Sequence, residues 1–283
     1  MKCNNAHSAR RQFLLGMAGL GIATLLPTSV ARAAVISDIG DAINKAGRQR
    51  MLSQRMAKAY CQVGLGILTD RSRKILDTSR QRFNDQLAEL KAYAPTSDIK
   101  ESYAELDTLW RKYQGLLSGK PNLDNARQIA TINEDVLRVA HLATTQLELH
   151  AASNVGRLIN VAGRQRMLSQ RMAKFYMFRQ WGISSSSMDK EAQLARREFV
   201  SALDALGKAQ ENDTPIKNEL ELARMQWLFL DEALKQQDVG GKDMMTYATN
   251  VATTSERLLE VMDRVTGHYA RISAAATPSA RKR

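Results

Sequence analysis

The sequence predicts an all-α protein made of two tandem antiparallel four-helix bundle modules, lying side by side or end to end. Three observations lead there. The chain is rich in Ala, Leu, Arg, Gln and Met, with five prolines and sixteen glycines in 283 residues, and those residues lose little side-chain entropy in a helix. An eighteen-residue segment, Ile43 to Tyr60, recurs as Ile159 to Tyr176 with sixteen positions identical and an offset of 116; internal repeats of this kind organise a whole fold. Turn and capping residues recur at nearly the same period.

In the first half the breaks fall near Thr69-Asp70, Pro95-Thr96-Ser97 and Gly119-Lys120-Pro121. In the second they fall near Ser184–Ser187, Asp213-Thr214-Pro215 and Gly240-Gly241. Each half thus reads as four helices joined by short loops, 34–152 and 153–272. The junction His150 to Gly156 holds no proline. It is either a continuous helix or a turn with Ser153 as cap, and this decides between stacked and side-by-side modules. No alternating apolar run suggests a strand.

Residues 1–33 read as a targeting peptide. Ala9-Arg10-Arg11-Gln12-Phe13-Leu14 resembles a twin-arginine signal, an apolar run Leu14–Leu26 follows, and Ala31-Arg32-Ala33 fits a small-x-small cleavage site. Thirteen apolar residues at about 1.5 Å each fall short of a membrane core of roughly 30 Å. The expectation is a soluble periplasmic protein that meets no nucleic acid. Its formal charge of +12 becomes +8 once Lys2, Arg10, Arg11 and Arg32 are removed. A positive protein attracts anions of every kind, so charge alone selects no partner. The last residues, 273–283, end in Arg281-Lys282-Arg283 and read as a basic disordered tail.

The repeated helix has three faces at 100° per residue. Leu52, Met56, Ala59, Val63 and Ile67 suit a bundle interior. Asn44, Arg48, Arg55, Lys58 and Gln62 form a polar face, whose basic residues read as solvated. Ile43, Ala46, Gly47, Arg50, Ser53, Gln54, Ala57 and Cys61 form a seam of small residues with one arginine in its middle. The second copy repeats that seam as Ile159, Ala162, Gly163, Arg166, Ser169, Gln170 and Ala173. Small residues permit close approach of two helices. Arg50 and Arg166 would lose water there, and an unpaired buried cation is costly. Neither motif contains an acid; Asp41, Glu134 and Glu148 are candidate counter-ions from elsewhere. The alternative is an external anion held between two planar forks, with Ser53/Gln54 and Ser169/Gln170 close by.

These residues resemble the periplasmic sensor module of the NarX/NarQ nitrate sensors and of the PilJ type IV pilus chemotaxis transducers. That module's first helix carries a P box close to Ile-Asn-x-Ala-Gly-x-x-Arg-Met-x-x-x-Arg, and both motifs match it. The long Gly-Arg-Gln-Arg-Met-Leu-Ser-Gln-Arg-Met form is especially like the PilJ type. The resemblance covers about 34–272, and beyond the motif it rests on helix count and spacing. It implies nitrate or nitrite bound between two first helices. By position the main anion-contacting arginine falls on Arg50 and Arg166, the early basic residue on Lys45 and the later arginine on Arg55 and Arg171. Gly47, Gly163, Ser53 and Ser169 complete the expected ligand-binding set. Val161 replaces Lys45 in the second copy, so the half-sites differ. Membrane helices and cytoplasmic signalling domains, usual in the family, are not expected here. A membrane sensor or transporter partner is therefore implied, and a homodimer is allowed.

Other chemistry has little behind it. Cys61, expected to be the mature chain's sole cysteine, reads as packing; His141, His150 and His268 lack metal-ligand spacing. No nucleophile-base pattern or phosphate loop is present, so no enzyme and no cofactor are expected. Trp110, Trp181 and Trp227 read as helix-packing anchors, and the methionines as core. Two functional readings stand: a sensor component for a small oxyanion, and a helical scaffold of a chemotaxis- or pilus-related signalling system with no anion ligand.

Overall fold

The computed structural model describes residues 35–236 and 240–276. The expected signal at 1–33 and residues 277–283 of the expected tail lie outside the described residues. Within them the chain forms eight helices: α1 Ile39–Leu65, α2 Thr69–Tyr93, α3 Ser97–Ser118, α4 Leu123–Ala151, α5 Asn154–Gln180, α6 Ser186–Gly207, α7 Thr214–Lys235 and α8 Met244–Ala276. None is long and apolar enough to cross a membrane.

Short polar side chains start most of these helices by accepting from an otherwise orphaned backbone N–H. Asp38 accepts from Asp41 N, Thr96 from Ile99 N, Asn122 from Asn125 N, Ser185 from Met188 N and Asp213 from Ile216 N. Gly66 ends α1 with φ 77°, a left-handed conformation that glycine adopts without a Cβ penalty. The junction between the halves is a turn. Ala152 takes φ 45° and Ser153 caps α5 through Gly156 N at 3.1 Å.

Helices α1–α4 form one antiparallel four-helix bundle and α5–α8 a second, with α1 and α3, and α5 and α7, as diagonals. Phe83 stacks on Trp110 at 4.2 Å in the first core, and Phe199 on Trp227 at 4.6 Å in the second. Met51, Met56, Met172 and Met177 are all buried. The halves lie side by side with α1 against α5, their most extensive packing, and with α4 and α8 flanking that pair. Helices α1 and α5 run parallel: Gly47 meets Gly163, and Gly64 lies under the Trp181 ring at the other end. A Cβ on Gly64 would stand 2.1 Å from that ring.

Two expectations need correction. Helix α8 continues through Ala276, so residues 273–276 belong to it and not to a tail. The Ala274-Ala275-Ala276 run favours this extension. Nor is the polar face of α1 solvated. Lys58 is 0% exposed, and Arg48 and Arg55 are largely covered, because α8 of the other half lies on that face. Lys174, the copy of Lys58, is equally buried.

Candidate functional site

The two motif helices approach so closely that the glycines decide the contact. A Cβ built on Gly47 would stand 3.2 Å from Arg50 Nη2 and 3.4 Å from Arg166 Nη2. One built on Gly163 would stand 3.2 Å from Arg166 Nη2 and 3.6 Å from Arg50 Nη2. The two guanidinium groups therefore converge on one crossing, and both side chains are 0% exposed.

Each arginine reaches back along the opposite helix. Arg50 Nη2 donates to Asn160 O at 3.2 Å and Asn160 Oδ1 at 2.7 Å. Arg166 Nη2 donates to Asn44 O at 3.1 Å. Asn160 and Asn44 are repeat equivalents, so the contact has two-fold pseudo-symmetry. The other ends break it. Arg166 Nη1 meets Asp263 Oδ1 at 2.5 Å, and that carboxylate also takes Arg48 at 3.2 Å. Arg50 Nη1 instead donates to His141 Nδ1 at 3.2 Å. Among the described residues no carboxylate pairs with Arg50, and neither Arg50 Nε nor Arg166 Nε has a protein partner.

The charge balance follows from these bonds. Burial, Arg164 and Arg166 together push the Arg50 pKa down to about 9. Burial does the same to Arg166, pushing it down to about 10, although Asp263 opposes it. His141 is pushed down to about 4 by burial and by Arg50 and Arg164, so the imidazole is neutral and accepts at Nδ1. Asp263 is held well below the usual carboxylate range: burial alone would raise it, but Arg166 and Arg48 outweigh that. Arg164 is forked onto Glu198. Arg50 is thus bonded only to neutral groups, and Arg48 and Arg166 share one acid. A pocket of about 200 Å³ between α4, α5 and α6 is lined by His141, Arg164, Arg171 and Glu198, with His141 linking it to Arg50.

The remaining expected residues divide. Arg55 and Lys58 of α1 both bind Glu256 of α8, and Lys58 also donates to Ser255 Oγ at 3.0 Å. Their copies Arg171 and Lys174 of α5 both bind Glu134 of α4, at 2.7 and 2.5 Å. These two triads fasten each half to the other and lie below the crossing. Lys45 pairs with Asp41 at 3.1 Å and Glu89 at 2.7 Å, an α1–α2 link rather than a contact of the crossing. Ser53 and Ser169 donate to the carbonyls of Arg50 and Arg166 on their own helices. Gln54 reaches Asn133, and Gln170 reaches Ser255 O. Of the expected counter-ions, Glu134 serves Arg171 and Lys174, Asp41 serves Lys45, and Glu148 holds Asn160.

Sequence reasoning missed His141, Asp263, Glu256 and the two asparagines. An offset of 122 pairs Glu134 with Glu256, His141 with Asp263 and Thr144 with Thr266 along α4 and α8. That second register, six residues longer than the first, was the available signal.

The PilJ family model, described as the N-terminal part of type IV pili methyl-accepting chemotaxis transducers, matches residues 37–136 and 148–254. The chain belongs to the PilJ family. Its two matched segments each begin just ahead of one motif helix, so the crossing brings together the same element of two PilJ segments. PilJ segments are sensory parts of pilus-related chemotactic signalling. No curated protein and no solved structure matched the chain.

Proposed function

We propose that this PilJ protein is an exported sensory component whose α1–α5 crossing takes one small monovalent oxyanion, nitrate or nitrite. The observation that carries the reading is the pair of fully buried guanidinium groups at the Gly47–Gly163 contact, of which Arg50 pairs with no carboxylate among the described residues. A planar oxyanion would meet planar donors there and offset the charge of Arg50, which is bonded only to neutral groups. The pocket at His141 supplies the approach. Signalling would pass to a membrane sensor or transporter in contact with the periplasm.

Titration calorimetry on the chain tests this. Saturable heat with nitrate or nitrite is expected, at one site per chain. Arg50→Ala should abolish it. His141→Asp should abolish it too, because it puts a carboxylate on Arg50 as Asp263 does on Arg166, and it leaves both arginines in place. Absence of heat at millimolar nitrate and nitrite sinks the proposal.

A second reading is a helical scaffold of the same signalling class without an anion ligand. It is favoured by one observation: Arg166 is neutralised by Asp263, and the Nη groups of Arg50 are occupied by Asn160 and His141. It predicts equal melting temperatures with and without nitrate, since a ligand that binds the folded state raises that temperature.

A further inference from the structure

The second half carries an apolar face that the first half lacks. On α7, Leu228 is 66% exposed, Phe229 60% and Met225 51%, and Val200 on the adjoining α6 is 41% exposed. Aligning Trp110 with Trp227 sets α3 against α7 at an offset of 117. The same positions in the first half are then Arg111, Lys112 and Thr108. The bundle therefore does not require apolar residues there, and a cluster of exposed Leu, Phe and Met marks an interaction surface.

The charges around the cluster indicate what covers it. Glu221, Arg224, Met225, Leu228, Glu232 and Lys235 lie within about 60° of one direction on α7 at 100° per residue. Two α7 helices set antiparallel about a two-fold axis through Leu228 place Arg224 opposite the partner's Glu232. They also place Glu221 opposite the partner's Lys235. Each pair occurs twice by symmetry, and Leu228 meets its own copy on the axis. Glu221, Glu232 and Lys235 are exposed, and Arg224 is partly so; their present partners are the surface carboxylate Asp204, one another and, for Lys235, the buried Asp231. The surface pairs are free to re-pair across an interface at little cost, and Arg196 still holds Asp231 when Lys235 leaves it.

We infer that the exposed face of α7 is a self-complementary surface on which a second copy of this chain docks antiparallel about Leu228. A contact along one helix and the Val200 edge is smaller than a standard interface of about 800 Å² per partner, so the dimer is weak and concentration-dependent. This surface lies on α7, away from the α1–α5 crossing, and holds whether or not an anion binds there.

Sedimentation equilibrium of the full chain over a wide concentration range tests the inference. The wild type should pass from monomer to dimer. Leu228→Glu sets like charges on the axis and should weaken association at least about tenfold, with an unchanged melting temperature because the side chain is exposed. Arg224→Glu and Glu232→Arg should each weaken it as well, since each opposes like charges. Mixing those two variants should restore pairing, because both cross-pairs are then complementary. A wild type that stays monomeric at every concentration overturns the inference. So does a dimer indifferent to Leu228→Glu, or a failure of the two charge variants to rescue each other.

Discussion

Removing the charge of Glu256 tests how the two halves are fastened. Glu256 on α8 is 4% exposed and lies between Arg55 and Lys58 of α1, with Lys58 Nζ at 2.6 Å. Burial alone would raise its pKa, but Lys58 and Arg55 outweigh that and hold it down at about 2, against an ordinary 4.5. At about 1.4 kcal/mol per pKa unit, that depression is worth about 3 kcal/mol of folding stability at neutral pH. The sign is that of a carboxylate more acidic when folded than when unfolded. Its contribution is complete above pH 4.5 and disappears as pH falls through about 2. Glu256→Gln should therefore lower the melting temperature by about 10 °C at pH 7, at roughly 2–4 °C per kcal/mol for a chain of this size. The gap should close as pH falls from 5 to 2. Thermal unfolding followed by circular dichroism across that range reads both quantities. A gap that is absent at pH 7, or one that stays constant down to pH 2, refutes the reasoning. Glu134→Gln, in the equivalent triad, should cost less than half as much, because Glu134 is 39% exposed and solvent screens its pairs.

Gly64→Ala should destabilise by about 1–3 kcal/mol, since the new methyl collides with the Trp181 ring. Gly115→Ala, with nothing within 4 Å of the new atom, should stabilise by up to about 1 kcal/mol through helix propensity; urea titrations compare the two. Lys45→Val should cost about 1–2 kcal/mol by stranding the largely covered Glu89, and adding Glu89→Ala should recover most of it. A double variant no more stable than the single one contradicts that pairing. Cys61 is buried and its thiol is pushed far above the usual range by that burial, so iodoacetamide should leave it unmodified in the native protein and alkylate it in urea. Native modification at the rate of a free thiol would show that α1 opens.

The architecture was legible because its signals are local. The 116-residue repeat, the Thr-Asp, Pro-Thr-Ser and Asp-Thr-Pro breaks and the Ser153 cap all act within a few residues of where they stand. The seam was legible for a related reason: Gly47 and Arg50 share a helix face whatever the partner, and only a helix can come so close. What stayed hidden was which element covers the polar face. A stripe of Arg48, Arg55 and Lys58 looks solvated until acids on α8 are known to lie against it, and those acids stand about 200 residues away. Lys45 was drawn toward the crossing by position in the motif, yet Glu89 on α2 turns it the other way. The second copy has Val161 and Ala205 at the two corresponding positions, so neither member of the pair is present there.

The asymmetry at the crossing depends on the tandem arrangement. Two identical chains paired about a true two-fold axis would present the same residue to each central arginine. They would carry either two carboxylates, which neutralise both, or two histidines, which leave two like charges facing each other in a buried contact. Carrying both halves on one chain allows His141 on one side and Asp263 on the other. Arg166 and Arg48 then share an acid that fixes them, and Arg50 alone keeps neutral partners. The two triads, Arg55–Lys58–Glu256 and Arg171–Lys174–Glu134, hold the lower parts of α1 and α5 by charges that are repeated on both sides. In the upper part the halves differ at His141 and Asp263, at Glu148 and Ala270 on the same two helices, and at Lys45 and Val161 on the motif helices. An added negative charge there acts on Arg50 and finds Arg166 already engaged. The difference in bonding between the halves, rather than their likeness, is what sets Arg50 apart from Arg166 at the crossing.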